Sequence, residues 1–154
     1  MSIESKLESL GLKLPGVPKP LGAYVPAVRI GDILFTSGQG PILEGKIKYQ
    51  GKVGKDLTLE EGYEAAKLCA LNCLSAIKIE IGSLDKIERI IKLVGFVNSA
   101  QGFAKQSLVI NGASDLLYNL FGKKGKHVRV SVGVSELPNN MAVELELMVK
   151  IKSS

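Results

Sequence analysis

One arginine in this chain is placed for anion chemistry. Arg129 lies in the alternating run Val128-Arg129-Val130-Ser131-Val132, so its side chain projects from a predicted strand between valines. A guanidinium held in this way is a planar, two-pronged donor for a carboxylate. Two interpretations are open: Arg129 binds a ligand carboxylate, or it forms a salt bridge across a hairpin to Glu144 or Glu146. The spacing favours the salt bridge.

Two carboxylates follow on the next alternating strand. If the turn between the strands is Leu137 to Asn140, Gly133 lies opposite Glu144. A residue without a side chain would leave room beside that carboxylate for a ligand or a water. The face of the sheet that helices leave uncovered is predicted to carry Arg129, Ser131, Glu144 and Glu146. Such a face suits a wet cavity or a subunit interface better than a dry core, because an unpaired buried charge is costly.

Few other residues offer chemistry. Cys69 and Cys73 are four apart, the wrong spacing for a CxxC site, and are predicted to be buried on one helix face. The single histidine, His127, rules out a two-histidine ribonuclease site and a His-rich zinc site. It precedes Arg129 by two and is predicted to be a strand-edge residue rather than a catalytic one. The run Ser37-Gly38-Gln39-Gly40-Pro41 lacks phosphate-loop spacing and is either a turn or the lining of a cavity.

Composition and charge limit the class of protein. The 154 residues are 45% hydrophobic and 23% charged, which predicts one soluble domain with a core that needs neither disulfides nor a structural metal. No apolar stretch approaches the ~20 residues of a membrane span and no signal core is seen, so a cytoplasmic location is expected. A net charge of +5 with 5% aromatic residues does not indicate nucleic acid. Lys123, Lys124 and Lys126 are predicted to form a solvated loop.

The elements that position these residues follow from caps and periodicity. Residues 1–22 are predicted to form an N-terminal extension that includes the proline-punctuated run Leu14 to Pro20, and residues 23–154 a single domain. Thr58 and Glu61 form a capping box that begins a helix, which ends at Gly82. Strands are predicted at 24–30, 32–36, 46–50, 87–97, 128–135 and 143–151, and a second helix at 106–121. The order β-β-β-α-β-α-β-β predicts an α+β fold, a mixed sheet with two helices on one face.

Five segments together resemble the successive signatures of one family. In chain order they are Gly22-Ala23-Tyr24-Val25-Pro26, Phe35-Thr36-Ser37-Gly38-Gln39, Val109-Ile110-Asn111-Gly112, Arg129-Val130-Ser131-Val132, and Leu137-Pro138 followed by Val143-Glu144-Leu145-Glu146. They resemble the RidA/YjgF/YER057c/UK114 family, also labelled endoribonuclease L-PSP. The segment Gly112-Ala113-Ser114-Asp115-Leu116-Leu117 with Phe121-Gly122 resembles a less characterised branch of that family. That family has a chorismate-mutase-like fold with the order of elements given above.

The resemblance implies a homotrimer with ligand clefts between subunits and with no cofactor or metal. The best-known members hydrolyse reactive 2-imino and 2-enamino acids to 2-keto acids and ammonia. Arg129 matches the family arginine that grips the substrate carboxylate, and Glu144 matches the glutamate that handles the water or the substrate nitrogen. The matches to substrate-binding positions are Tyr24, Ser37, Asn111 and Ser131. Ser131 stands where the deaminases usually have cysteine, and Gly133 where many have glutamate.

Two alternatives belong to other functional classes. The chain could form a non-catalytic or regulatory trimer that binds small carboxylates. It could instead be an endoribonuclease or translation inhibitor, which is the older label of the family. The deaminase interpretation is favoured, with a small carboxylate-bearing molecule as its substrate.

Overall fold

The computed structural model describes residues 1–17 and 19–153. Pro18 of the predicted proline-punctuated run and Ser154 at the end of the predicted domain lie outside the described residues. The elements, in chain order, are α1 (Ile3–Ser9), β1 (Ala27–Ile30), β2 (Ile33–Thr36), β3 (Ile42–Leu43), β4 (Lys46–Ile47), α2 (Leu59–Ile81), β5 (Ile87–Asn98), α3 (Gln106–Phe121), β6 (Val128–Val134) and β7 (Val143–Ile151). This is the mixed α+β fold that the sequence predicts.

Five strands form one mixed sheet in the order β1-β2-β7-β5-β6. β5 pairs in parallel with β6 and antiparallel with β7, so α3 is the crossover between β5 and β6. The strand predicted at 46–50 is not part of this sheet. It is shortened to Lys46–Ile47, which pairs with Ile42–Leu43 in a separate two-stranded hairpin.

The predicted hairpin between the strands of Arg129 and Glu144 is wrong. β5 lies between β6 and β7, with Leu93 paired to Arg129 and Phe96 paired to Glu144. Gly133 therefore pairs with β5 and does not lie opposite Glu144. Period two in β6 and β7 fixes which residues share a face, but it carries no information about which strand is the neighbour.

α2 and α3 pack on one face of the sheet. The predicted capping box is confirmed: the Thr58 hydroxyl accepts from the Glu61 amide at 3.1 Å, and the Glu61 carboxylate accepts from the Thr58 amide at 3.1 Å. α2 ends at Gly82, whose φ is 84°. α3 approaches α2 so closely that a Cβ at Gly112 would collide with the backbone carbonyl of Tyr63. This contact fixes the position of the neighbouring Asn111.

The short helix α1 also packs on the body of the domain. Ile3 and Leu7 are buried in the hydrophobic core. The backbone amide of Ile3 donates to the Asp85 carboxylate at 2.8 Å, and Lys6 Nζ donates to the Leu120 carbonyl at 3.1 Å. The first nine residues thus contribute to the core. The predicted boundary at residue 22 stays a prediction.

The two cysteines lie on the buried face of α2, as predicted. The Cys69 thiol lies 3.4 Å from the Val143 carbonyl, and the Cys73 thiol lies 3.6 Å from the Leu145 carbonyl. Burial raises the pKa of the Cys69 thiol well above its usual range and that of Cys73 to about 12. Both thiols therefore stay protonated at neutral pH and act as small buried residues.

The sheet face away from the helices, called here the open face, is apolar at both edges. Its exposed side chains are 39% to 67% accessible: Val28, Ile30 and Phe35 on β1 and β2, and Val128, Val130 and Val132 on β6. Glu144 and Glu146 of β7 lie between these edges, beside β5. The prediction that Arg129 and Ser131 share this face is wrong, because they alternate with the β6 valines and face α3.

Within the described residues, no helix combines the length and the apolar character needed to cross a membrane.

Candidate functional site

The six predicted site residues separate into two clusters. The arginine cluster, between β6 and α3, consists of Asn111, Arg129 and Ser131. The glutamate cluster, near the end of β2 and the beginning of β7, consists of Tyr24, Ser37 and Glu144. The Arg129 side chain points to the helix face and the Glu144 side chain to the open face, with β5 between their strands. A single chain therefore cannot bring Arg129 and Glu144 together.

In the arginine cluster, α3 holds the guanidinium. Arg129 Nη1 donates to Asn111 Oδ1 at 2.7 Å and to Ser114 Oγ at 3.0 Å, and Nη2 donates to the Ser107 carbonyl at 3.4 Å. Residues 107, 111 and 114 share one helix face because they are spaced by four and three. Within the described part of the chain, Arg129 has no salt bridge to a carboxylate. The predicted salt bridge to Glu144 or Glu146 is therefore wrong.

The hydroxyl of Ser131 is buried without a hydrogen-bond partner among residues 1–17 and 19–153. Ser131 pairs with Gly95 of β5, on the same face as Arg129. A buried hydroxyl that makes no hydrogen bond loses its solvation without compensation, at a cost of about 1–3 kcal/mol. The hydroxyl thus contributes nothing to the stability of the single chain.

We expect Ser131→Ala to leave the thermal unfolding midpoint unchanged or to raise it, because the substitution removes an unpartnered buried group. Ser114→Ala is the matched control. Its hydroxyl contacts Arg129 and His127, so its loss should lower the midpoint. Calorimetry of the two variants checks the difference. A fall in Ser131→Ala as large as that in Ser114→Ala would show that Ser131 has a partner in the assembled protein.

Sequence analysis missed Ser114 as a site residue and missed its contact with His127. His127 lies just before β6 with Nε2 2.9 Å from Ser114 Oγ and Nδ1 2.7 Å from the Gly125 carbonyl. Burial first, and the charge of Arg129 after it, lower the pKa of His127 below its usual value. The spacing of three between Asn111 and Ser114 on one helix was the signal that could have found this serine.

The glycine that makes room beside Glu144 is Gly38 rather than Gly133. A Cβ at Gly38 would lie 2.9 Å from the carboxyl carbon of Glu144. A Cβ at Gly133 would instead meet Gln106 Nε2 at 2.6 Å. The Gln106 amide is fixed there by donation to the Phe103 carbonyl at 2.7 Å. Gly133 therefore accommodates an amide from α3 and not a ligand beside the glutamate.

Two of the three residues of the glutamate cluster line a cavity of about 250 Å³. Tyr24 and Glu144 lie on its wall together with residues 38–40, so the glycine-rich run lines a cavity as well as ending a strand. Ser37 instead binds the backbone of the preceding segment, since its hydroxyl donates to the Val25 carbonyl and its amide to the Pro26 carbonyl. Ser37 thus holds the segment that carries Tyr24.

Glu144 is half-buried, and its electrostatic setting favours a proton. Burial first, and the nearby carboxylate of Glu146 after it, raise the pKa of Glu144. A carboxylate with a raised pKa is a stronger base when it is ionised. Glu144 is therefore suited to accept a proton from a water molecule in the cavity.

The remaining charged groups lie outside the two clusters. Lys123, Lys124 and Lys126 are exposed, as predicted, but Gly122–Gly125 form a short 3-10 helix rather than a loop. Lys126 Nζ lies 5.7 Å from the ring centroid of Tyr118. Among the residues that the structure describes, no three His, Cys, Asp or Glu side chains gather closely enough to hold a metal ion.

This chain is similar to known proteins in sequence and in architecture. A family model described as "YjgF/chorismate_mutase-like, putative endoribonuclease" matches residues 4–151. Protein TCP17 of Trypanosoma cruzi is 41% identical over 152 residues, 98% of this chain and 95% of that protein. A crystal structure from Shewanella oneidensis, described as a "putative endoribonuclease", has a TM-score of 0.95 and 38% identity and covers 98% of this chain and 100% of that one. TdcF of E. coli with bound serine has a TM-score of 0.60 and 25% identity, covering 89% and 94% of the two chains.

Proposed function

Because this chain belongs to the YjgF/chorismate-mutase-like family, we propose that it is a hydrolytic deaminase of reactive 2-imino and 2-enamino acids, which yields 2-keto acids and ammonia. The observation that carries the proposal is the half-buried guanidinium of Arg129, whose protein partners in the described chain are all neutral. A partly buried charge without a counter-ion is unfavourable. The carboxylate of a small substrate supplies that counter-ion.

The hydrogen bonds of Arg129 leave a suitable edge for this carboxylate. Nη1 donates both of its hydrogens, to Asn111 and to Ser114. The hydrogen on Nε and one hydrogen on Nη2 have no protein partner in the described chain. These two donors are parallel and match the two oxygens of a carboxylate. The serine bound to TdcF, a small molecule with a carboxylate, supports this class of ligand.

In the proposed reaction, water attacks C2 of the protonated imine. The C2–O bond forms, the π electrons of the C=N bond move to nitrogen, and Glu144 accepts the proton that the water loses. Transfer of that proton to the amine allows the C2–N bond to break. As the carbonyl forms, Glu144 accepts the hydroxyl proton and passes it to the departing ammonia, which leaves as ammonium. No redox cofactor is required by this balance. Positioning and charge stabilisation are enough, because free imines already hydrolyse readily.

We further propose that the active form is a homotrimer with the clefts between its subunits. The open face has two apolar edges that are exposed in the single chain, and their burial would stabilise a closed ring. Such a ring can place the arginine cluster of one subunit beside the glutamate cluster of the next. The same proposal includes a cytoplasmic location, for which free thiols at Cys69 and Cys73 are typical.

We expect light scattering of the wild-type protein to give about three times the 16.5 kDa of the chain. Val130→Asp should reduce the mass to that of one chain. Val130 lies in the middle of the apolar row of β6 and is 45% exposed in the chain alone, so the substitution would bury a charge in the proposed interface. The matched control is Ile79→Asp on α2, where the side chain is 66% exposed on a helix. A wild-type mass near 16.5 kDa at micromolar protein concentration would contradict the trimer proposal.

A coupled assay tests the deaminase activity. An amino acid oxidase generates the 2-imino acid in place, and the decay of imine absorbance is followed with and without this protein. We expect the protein to accelerate the decay. If it binds 2-keto acids without accelerating the decay, the non-catalytic carboxylate binder is the correct function. The serine-bound structure of TdcF is the observation that favours this second candidate.

The endoribonuclease label of the family is tested separately. Cleavage of RNA without a metal needs a general base and a general acid, and both ring nitrogens of the single histidine already have protein partners. We expect highly purified protein in chelator to cleave RNA no faster than the buffer does. Cleavage that co-purifies with the protein and is lost in His127→Ala would overturn the deaminase proposal.

A further inference from the structure

One hydroxyl group links His127 to Arg129. Arg129 Nη1 donates to Ser114 Oγ at 3.0 Å, and the same oxygen lies 2.9 Å from His127 Nε2. His127 Nδ1 lies 2.7 Å from the Gly125 carbonyl. Four groups, from α3, β6 and the segment between them, thus form one hydrogen-bonded chain that ends on the guanidinium.

The carbonyl end sets the direction of this chain. A carbonyl oxygen only accepts hydrogen bonds, so Nδ1 of His127 must carry a proton. In the neutral imidazole Nε2 is then bare, and the Ser114 hydroxyl must donate to it. The lone pairs of Ser114 Oγ are left for Arg129 Nη1. In this arrangement every donor in the chain meets an acceptor.

The Gly125 carbonyl is a fixed end of the chain. Gly125 is buried and packs so closely on the last turns of α3 that a Cβ would collide with the Leu117 carbonyl. The backbone there has little room to move. The imidazole orientation is therefore set by the same helix that carries Ser114 and Asn111.

A protonated imidazole would break this arrangement. Both ring nitrogens would then donate, and Ser114 Oγ would receive hydrogens from two cations, His127 and Arg129. The burial of His127 and the nearby Arg129 charge lower the pKa of His127, and so keep the ring neutral at physiological pH. Lysines 123, 124 and 126, close to His127 in the sequence, are exposed to solvent.

We infer that His127 is a positioning residue for anion binding: it fixes the Ser114 hydroxyl so that its oxygen holds Arg129 Nη1 and the Nε–Nη2 edge stays available to a carboxylate. The inference rests on the proposed role of Arg129. Without the imidazole, the Ser114 hydroxyl is free to donate to a backbone carbonyl one turn back on α3. Asn111 would then be the main constraint on Nη1.

The tautomer of His127 gives a test that needs no substrate. Because the chain has one histidine, its ring signals in ¹⁵N NMR are assigned without ambiguity. We expect the tautomer with the proton on Nδ1 at neutral pH. Saturating pyruvate should raise the pKa of His127, because its carboxylate offsets the Arg129 charge that lowers that pKa. A proton on Nε2, or a pKa that does not respond to bound pyruvate, would overturn the inference.

A double-mutant cycle tests whether His127 acts through Ser114. Ser114→Ala and His127→Phe should each raise the dissociation constant of pyruvate, and KM for the imino acid, about tenfold with kcat little changed. The double variant should be no worse than either single one. His127→Gln keeps one donor and one acceptor and should recover part of the affinity. Multiplicative effects, or an unchanged affinity in His127→Phe, would contradict the inference.

Failure of the proposed function has a different signature. If the wild-type protein neither binds pyruvate nor hydrolyses imines, Arg129 does not bind a carboxylate. The positioning role of His127 would then be wrong as well. The tautomer would still decide whether the hydrogen-bonded chain from Gly125 to Arg129 exists. A chain with the expected tautomer and no carboxylate binding would therefore overturn the function and leave the geometry standing.

Discussion

Arg129→Lys should lower kcat/KM for 2-imino acid hydrolysis about 100-fold while the oligomer and its unfolding midpoint persist. Lysine keeps the positive charge but has no planar pair of donors, and its single nitrogen cannot reproduce both the Nη1 contacts to Asn111 and Ser114 and the separate Nε–Nη2 edge. The coupled imine assay measures the loss. The reduction should appear in KM as well as in kcat, because the carboxylate is held both in the bound substrate and in the transition state.

Arg29→Lys is the matched control for this variant. Arg29 lies on β1 and is exposed, with its Nε donating to the nearby Gly31 carbonyl. Its replacement should leave kcat/KM within a factor of about two. Full activity in Arg129→Lys would show that the arginine has only a structural role and that the proposed mechanism is wrong.

A mixture of two inactive variants should recover about one quarter of the wild-type activity. The variants are Arg129→Lys and Glu144→Gln, unfolded together in equal amounts and refolded so that subunits combine at random. In a trimer where each cleft takes its arginine from one subunit and its glutamate from the next, about one cleft in four then contains both native residues. The coupled imine assay on the refolded mixture measures the recovery.

The recovery follows from the position of the two residues on opposite faces of one sheet. Two controls accompany it: each variant refolded alone should stay inactive, and wild-type protein refolded alone gives the yield of refolding. If the mixture stays as inactive as its components while the wild type refolds, no cleft combines Arg129 of one subunit with Glu144 of another. The shared-cleft proposal would then be wrong.

Much of the local structure could be predicted because its signals are local. The capping box of Thr58 and Glu61 places the beginning of α2 correctly, and Gly82 marks its end. The alternation in β6 and β7 gives both strands to within a residue. The neighbour relations failed, because strand pairing depends on contacts distant in sequence. The short connection between β6 and β7 suggests that they pair with each other, and no local signal indicates that β5 lies between them.

The faces of β6 could not be predicted for a second reason. A row of valines normally marks the core side of a strand, yet Val128, Val130 and Val132 lie on the open face. Arg129 and Ser131 face α3 instead. The alternation of residues in a strand separates its two faces, but it does not say which face the helices cover. When both faces of a sheet carry apolar side chains, the covered face cannot be identified from the sequence pattern.

The individual residues of the candidate site could be predicted, but their arrangement in three dimensions could not. Tyr24 and Glu144 do share a cavity wall, and Asn111 does contact Arg129. The roles of the residues in those positions stay predictions until they are tested. The sequence pattern marks Gly38 only as part of a glycine-rich run, since its closeness to Glu144 depends on the end of β2 lying beside the beginning of β7. No spacing in the sequence carries that information.

The crossover from β5 through α3 to β6 has a consequence for how such a protein can change over generations. In the described chain, every hydrogen-bond partner of the Arg129 guanidinium is encoded in one continuous stretch, residues 107–129. The cavity wall beside Glu144 comes from other stretches, around residues 19–42 and 138–144. Mutation can therefore alter the cavity beside Glu144 while the hydrogen bonds to Arg129 are inherited intact. If the proposed function is correct, a family built on this plan can change the substrates that it accepts while it keeps the carboxylate site that they share.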